Sequence, residues 1–282
     1  MTGVAYMDCA GQERPVDHEP RTPDDTMTHL LSYANPKIAK GSALGVLTAV
    51  LHLLPAGEYD RLRVAGGRAS SGTNLCPFAG TCRAPCLNTA GRGGLPMRSY
   101  SGTLYRNNVE MGRYRRTDRY VDDRAGFVVA LRRDVKRLAD MAAEHGLSPA
   151  ARLNGTSDID WEAVAPDVVA DALAAGVRLY DYTKRPIRFN AAGKVHYTYS
   201  LDVGAARERH AVQYLNDGGN VAVVFATKRG QALPATWRGF PVFDADTTDV
   251  RYRDPAGHVA GLRAKGRAKG STSGFVHSDV AT

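Results

Sequence analysis

The sequence predicts an α/β fold, a complete or partial (β/α) barrel of the TIM type with parallel strands. Two observations favour it. Predicted strands and helices alternate through residues 151–262, which is the order of a parallel sheet covered by helices. One predicted strand, residues 220–226, is almost continuously apolar, as expected for a strand buried on both faces of such a sheet. A doubly wound open sheet is the alternative with the same pattern.

The two ends of the chain differ from its middle. Residues 1–28 contain six acidic and two basic residues and show no apolar periodicity, so we expect a disordered acidic leader. We expect residues 29–265 to form a single α/β barrel domain and residues 266–282 to form a flexible basic tail. No basic-then-apolar signal pattern opens the sequence, so we expect an intracellular protein that has no membrane partner.

The elements of the barrel follow from apolar spacing and turn signals. The apolar run at residues 45–54 predicts a strand in its second half, ended by Pro55. Residues 127–145 carry apolar side chains at helical spacing, and Gly146 follows as a C-cap. The other predicted strands are residues 151–154, 177–182, 196–201, 220–226, 240–243 and 258–262, and the other predicted helices are residues 167–175 and 206–215.

Polar residues follow most of the predicted strands. In a parallel barrel these strand ends meet on one rim, where barrel enzymes carry out their chemistry. Helix capping and turn formation are the competing explanation for each polar cluster. We predict a substrate or cofactor pocket on this rim, formed by Asn154, Asp158, Asp181, Lys184, Asp246 and Asp249.

The chain has four cysteines, and three of them, Cys76, Cys82 and Cys86, lie in one segment, residues 74–88, called here the cysteine loop. Clustered cysteines in a reducing compartment are typical of metal or catalytic sites. An iron–sulfur cluster fits best, because no second cysteine pair or paired histidine is present for zinc, and no Cys-x-x-Cys pair for redox chemistry. Structural zinc stays an alternative, and Cys9 is a candidate fourth ligand.

Radical-SAM enzymes also bind a four-iron cluster through three cysteines and leave one iron for S-adenosylmethionine (SAM). Their usual spacing, Cys-x3-Cys-x2-Cys, differs from the Cys-x5-Cys-x3-Cys of this chain. The spacing therefore predicts a three-cysteine [4Fe-4S] site and leaves SAM as a hypothesis.

The chain carries a net charge of +8, and residues 92–137 alone contain twelve basic and five acidic residues. Such a region can attract nucleic acid or another phosphate-bearing partner. Pairing of these arginines with the chain's own carboxylates is the alternative.

Several of these motifs together resemble the Gene product 88 family of phage proteins. The resemblance covers roughly residues 31–265. It rests on the cysteine segment 75–86, on residues 152–158 (Arg-Leu-Asn-Gly-Thr-Ser-Asp), on residues 180–184 (Tyr-Asp-Tyr-Thr-Lys) and on the acidic residues 244–254. The family often has Asp-Gly-Asp in its second acidic motif, where this chain has Ala245. The resemblance implies a phage origin, and hence the cytoplasm of an infected bacterium, but no established reaction.

We therefore expect a phage iron–sulfur protein with a [4Fe-4S] cluster on Cys76, Cys82 and Cys86 at the mouth of the barrel. One hypothesis is radical-SAM-like catalysis on a small-molecule substrate held by the rim. The other is a non-catalytic cluster protein, in which a side chain supplies the fourth ligand and the basic region binds nucleic acid or a host protein.

Overall fold

The computed structural model describes residues 5–7, 13–15, 29–33, 43–94 and 107–278. Its strands are β1 (Ala5–Met7), β2 (Glu13–Pro15), β3 (Leu31–Ser32), β4 (Val46–Leu51), β5 (Ser148–Arg152), β6 (Arg178–Thr183), β7 (Val195–Ser200), β8 (Asn220–Phe225), β9 (Thr236–Trp237), β10 (Phe240–Asp244) and β11 (Val259–Arg263). Its helices are α1 (Glu58–Ala65), α2 (Asn108–Asp122), α3 (Arg124–Glu144), α4 (Trp161–Val164), α5 (Pro166–Ala174) and α6 (Ala205–Asn216).

Nine of the strands form one sheet in the order β3-β4-β5-β6-β7-β8-β11-β10-β9, while β1 and β2 pair with each other. Every neighbouring pair from β4 to β10 is parallel, and the edge strands β3 and β9 pair antiparallel. Among the described residues the sheet does not close on itself, because β3 and β9 are its two edges. The predicted α/β class with a mostly parallel sheet is confirmed.

Apolar side chains of α3 and α5 pack against one face of the sheet. In α3 the fully buried side chains Phe127, Leu131, Val135 and Leu138 recur every three or four residues and form one stripe. Burying each such side chain contributes about 1.5–3 kcal/mol. Further along the same sheet, Tyr214 and Leu215 of α6 pack in a second apolar cluster with β8. The periodicity that predicted a helix at residues 127–145 is thus confirmed.

The other face of the sheet is covered by residues 245–256, which cross it with one turn of 3-10 helix, Arg251–Arg253. Val250 packs there against Val46, Ala150 and Tyr180. The same segment buries a charged group, since the Arg251 side chain is completely buried. This face is therefore partly ionic, while the helix-covered face is apolar.

Apolar periodicity in the sequence did not predict two of the helices, α1 and α2. α2 buries Glu110, Arg113 and Thr117 alongside its tyrosines, so it lacks an apolar stripe. α1 has few apolar residues and buries only Tyr59 and Leu62. β5 also begins earlier than predicted, at Ser148, ahead of a proline that suggests a break.

The chain ends contribute two findings. The predicted leader lies outside the described residues except for β1 and β2. The predicted tail begins with a 3-10 helix, Gly266–Gly270, and its His277 forms a β-bridge with Phe225 of β8.

In the described part of the chain, no helix has the length and apolar character needed to cross a bilayer.

Candidate functional site

The cysteine loop lies over the carboxyl ends of β5 and β7. The Leu75 carbonyl oxygen accepts a hydrogen bond from the backbone N–H of Asp158, beyond β5 (2.7 Å). The Asp202 carboxylate, just beyond β7, accepts from the backbone N–H of Gly80 (3.1 Å) and from the Thr81 hydroxyl. These bonds place the loop at the edge of the sheet where parallel βα folds usually bind ligands.

Two helices hold further points of the loop. The Arg113 guanidinium of α2 donates to the carbonyl oxygen of Asn88 (2.8 Å) and to its side-chain oxygen (2.5 Å). The Arg207 guanidinium of α6 donates to the Phe78 carbonyl oxygen (2.8 Å). The loop is therefore held from several sides although it contains only short 3-10 turns.

The three thiols are free and partly buried. The Cys76 sulfur lies 3.7 Å from the Thr156 carbonyl oxygen. The Cys86 sulfur accepts from the backbone N–H of Asn88 at 3.5 Å. The sulfur atoms of Cys76 and Cys86 therefore contact the protein backbone.

Burial is the main influence on the ionisation of all three thiols. Burial, together with smaller contributions from the nearby Cys86 and Cys82, raises the pKa of Cys76 to about 12. Burial also raises the pKa of Cys82 to about 11, against the opposing charge of Lys184. The pKa of Cys86 is raised by burial too, and Arg113 opposes this. The three thiols thus share one electrostatic environment, in which they are protonated at neutral pH.

Two cations border this environment. The Lys184 ammonium donates to the carbonyl oxygen and hydroxyl of Ser200 and to the Leu201 carbonyl oxygen, each at 3.1 Å. Burial lowers the pKa of Lys184 below its ordinary value, although the nearby Cys82 and Asp202 oppose this shift. With Arg113 on the side of Cys86, it supplies the positive charge that thiolates or an anionic cluster need nearby.

Of the predicted pocket residues, Asp158 and Lys184 lie beside the cysteines. Asp158 accepts from the Thr183 hydroxyl (2.8 Å) and the Lys184 backbone N–H (2.9 Å), and its charge raises the pKa of Cys76. It therefore connects the end of β6 to the cysteine loop.

Asn154 and Asp181 lie behind Asp158 and support the backbone. The Asn154 side-chain oxygen accepts from the Ser157 hydroxyl and the Ile159 N–H, both at 2.9 Å. The Asp181 carboxylate accepts from the backbone N–H groups of Leu153 (3.1 Å) and Asn154 (3.0 Å). These bonds fix the chain where it leaves β5.

Asp246 and Asp249 make other contacts. Asp246 accepts from the Arg263 backbone N–H (3.1 Å) and pairs with the Lys265 ammonium (2.5 Å), which joins the ends of β10 and β11. Asp249 pairs with the Arg152 guanidinium at 2.8 Å. The six predicted pocket residues thus divide between the cysteine site and neighbouring ionic contacts.

The predicted pocket did not include Asp202 and Arg113, which lie beside the cysteine loop. Asp202 stands two residues after the end of β7, so its position at a strand end was a usable signal. Arg113 had none, because one arginine in the basic stretch of residues 92–137 looks like the others. Only the packing of α2 against the cysteine loop distinguishes it.

The donor set consists of sulfur atoms on one loop with carboxylates beside them. In the described residues, no three His, Cys, Asp or Glu side chains already converge as a metal site. Cys9, the candidate fourth ligand, lies outside the described residues.

The family model described as Gene product 88 matches residues 29–278, which is most of the chain. No curated protein and no solved structure matches.

Proposed function

We propose that this chain, a member of the Gene product 88 family, is an iron–sulfur protein that binds a [4Fe-4S] cluster through Cys76, Cys82 and Cys86. One observation carries the proposal: three of the chain's four cysteines are free thiols on one anchored loop. Thiolates are the usual ligands of such clusters.

The charged side chains around the three cysteines suit a bound iron–sulfur cluster. A cluster with three thiolates is anionic, and Lys184 and Arg113 provide opposite charge beside Cys82 and Cys86. Thiols must lose their protons to bind metal, and a nearby metal charge favours that loss. The three sulfur atoms would have to draw closer, and the loop between them has only short turns to rearrange.

The finer architecture belongs to the same proposal. The consecutive parallel strands from β4 to β8 suit a partial barrel, with the cluster at its mouth. Asp158 and Lys184 would border the iron that has no cysteine ligand, and Asn154 and Asp181 would support them. Asp246 and Asp249 would serve only at the periphery of such a pocket. A bound cluster supplies one-electron chemistry, and with SAM it would support radical-SAM-like catalysis.

A non-catalytic cluster protein is the second candidate. The carboxylates of Asp158 and Asp202, both near the thiols, favour it, because either would serve as the fourth ligand. A nucleic-acid role for residues 92–137 gains less support, since several cations there have internal partners, such as Arg132 with Asp171 and Lys136 with Asp140.

Metal analysis of anaerobically purified protein tests the proposal. We expect iron and acid-labile sulfide in similar amounts, and an EPR signal after reduction. A change of that signal on adding SAM supports an open iron, and an unchanged signal supports a protein ligand. Zinc without sulfide contradicts both candidates.

The cysteine variants provide a matched comparison. Cys86→Ser removes one proposed ligand, whereas Cys9→Ser removes the cysteine outside the loop. We expect Cys86→Ser to lose most of its iron and sulfide and Cys9→Ser to keep both. Equal iron in the two variants would remove Cys86 from the ligand set, and iron loss in Cys9→Ser would make Cys9 the fourth ligand.

A further inference from the structure

The connection between β6 and β7 differs from the other crossovers between β4 and β8. Parallel neighbours usually need a crossover of a dozen or more residues, most often with a helix. β4 joins β5 through α3, β5 joins β6 through α5, and β7 joins β8 through α6. Residues 184–194, all of which are described, join β6 to β7 without a helix. The space that a crossover helix would fill is left open beside β7.

A cavity of about 470 Å³ occupies this space between α4 and α6. Small-molecule sites in proteins commonly enclose roughly 300–1,000 Å³. Six side chains define the character of the cavity: Asp160, Glu162, Arg185, Phe189, Tyr197 and Tyr214. They come from α4 and its N-cap, the helix-free connection, β7 and α6.

Three of these side chains are aromatic. Phe189 and Tyr214 meet edge to face, with ring centroids 5.6 Å apart. The Tyr214 hydroxyl donates to the Tyr197 carbonyl oxygen at 2.9 Å, and this bond holds the Tyr214 ring against β7. The Arg185 guanidinium lies over the Tyr197 ring, 5.1 Å from its centroid. Flat surfaces of this kind suit a planar ring.

The polar groups of the cavity offer both donors and acceptors. One nitrogen of Arg185, Nη1, pairs with Asp160 at 2.5 Å. Its Nε and Nη2 are buried without a hydrogen-bond partner among the described residues, and Nε stands 3.9 Å from Asp158. Asp160 and Glu162 contribute carboxylate oxygens to the lining of the cavity, and Arg185 and Arg188 contribute guanidinium groups. This balance suits a nearly neutral ligand whose edge both donates and accepts.

We propose that this cavity binds a nucleoside through its base. A nucleobase is planar and carries donors and acceptors along one edge, so it would stack on the aromatic walls and direct that edge at the charged side chains of the cavity. A purely apolar ligand would make no use of these charged side chains. A simple anion would make no use of the aromatic rings and would face two carboxylates.

The cavity adjoins the cysteine site through Asp158. This carboxylate lies beside Cys76 on one side and 3.9 Å from Arg185 on the other. A nucleoside bound by its base would therefore lie next to the cysteine loop. The nucleoside proposal does not depend on a cluster, because the cavity is lined by residues outside the loop.

Titration of the full-length protein with adenosine, guanosine, cytidine and uridine tests the proposal. Saturation-transfer NMR identifies the protons in contact, and calorimetry gives the affinity. Ribose 5-phosphate is the probe without a base. We expect saturable binding of at least one nucleoside, with transfer strongest at its base protons, and none of ribose 5-phosphate. Absence of nucleoside binding, or equal binding of ribose 5-phosphate, overturns the proposal.

Two phenylalanine variants locate the site. Phe189 and Phe240 are both partly buried and pack on the same apolar cluster, but only Phe189 lines the cavity. Because base stacking is lost, we expect Phe189→Ala to weaken binding by about tenfold. We expect Phe240→Ala to leave the affinity nearly unchanged. Phe189→Leu, which keeps the bulk but not the ring, gives the same comparison if the alanine variant does not fold. Equal weakening at the two positions overturns the proposal.

Discussion

Asp202 fixes the cysteine loop to the carboxyl end of β7. Its carboxylate accepts from the backbone N–H groups of Gly80 (3.1 Å) and Val203 (2.8 Å) and from the Thr81 hydroxyl. Burial raises its pKa, but the Thr81 hydroxyl and the charge of Lys184 more than offset this, so the pKa lies below its ordinary value. The carboxylate is therefore charged at neutral pH, and it holds the cysteine loop at Gly80 and Thr81, directly before Cys82.

We predict that Asp202→Ala weakens metal retention without unfolding the protein. Its removal frees the Gly80 end of the loop, and loss of such a supporting contact typically lowers metal affinity about 10- to 100-fold. Iron content after dialysis against a chelator measures the effect, and circular dichroism checks the fold. Asp217→Ala is the control, because Asp217 is exposed and contacts Gln213 on α6. Equal iron retention in the two variants would show that Asp202 does not position the loop.

At the scale of elements, the sequence predicted most of those that bury an apolar pattern. β8 is apolar after Asn220 and α3 has a clear apolar stripe, so each was recognised within a few residues of its ends. α2 was missed because its buried positions include Glu110 and Arg113, whose partners lie elsewhere in the chain. A periodicity of apolar residues cannot reveal a helix whose inward side is held by charge.

The residues of the candidate site also fall into those that the sequence could predict and those that only the fold brings together. Cysteine spacing identified the loop, and the strand ends identified Asp158 and Lys184, because both signals are local in the sequence. The contact between Arg113 and Asn88 joins residues of two separate elements, and only the packing of α2 creates it. Asp246 was assigned to the pocket because a sequence cannot tell a carboxylate that binds a ligand from one that joins two strands.

The turn after β5 depends on a close approach of two backbones. Gly155 donates its N–H to the Leu51 carbonyl oxygen (2.9 Å), where β4 ends. A Cβ at Gly155 would lie 2.6 Å from both His52 Nδ1 and Val50 Cγ1 and 2.7 Å from that carbonyl oxygen. The Arg-Leu-Asn-Gly-Thr-Ser-Asp motif therefore needs its glycine for space.

We predict that Gly155→Ala destabilises the protein by about 1–3 kcal/mol, because overpacking forces neighbouring atoms apart. Urea unfolding followed by circular dichroism measures the change. Gly57→Ala is the matched control, since a Cβ at Gly57 meets nothing within 4 Å. A Gly155→Ala variant as stable as Gly57→Ala would mean that β4 and the turn separate at little cost.

At the scale of the whole molecule, the two faces of the sheet are stabilised differently. Apolar helices cover one face, and residues 245–256 cover the other with buried ionic pairs. Arg251 is fully buried, and its Nη1 lies 3.3 Å from the carboxylate of Asp254. Burial raises the pKa of Asp254 from its ordinary value of 3.8 to about 6, although Arg251 opposes the shift. The stability of the molecule should therefore depend on pH through this face.

The direction of that dependence follows from proton binding. A carboxyl group with a raised pKa binds its proton more readily in the folded state, so its contribution to stability is complete below pH 3.8 and is lost as the pH rises through about 6. A rise in pKa from 3.8 to about 6 corresponds to about 3 kcal/mol in the free energy of unfolding. Asp181, whose pKa burial raises to about 7, contributes in the same direction.

We predict that Asp254→Asn flattens the pH dependence of the free energy of unfolding between about pH 4 and pH 7, because asparagine stays neutral throughout this range. Urea unfolding of the two proteins across this range measures the difference, which removes the contribution of groups that titrate equally in both. The variant should match wild type in stability at the acidic end, where wild-type Asp254 is also neutral, and should become more stable than wild type as the pH rises through about 6. Asp217→Asn, on the exposed end of α6, should track wild type. A constant difference between Asp254→Asn and wild type at every pH would mean that Asp254 keeps its charge beside Arg251, and that this face is held by a true ion pair.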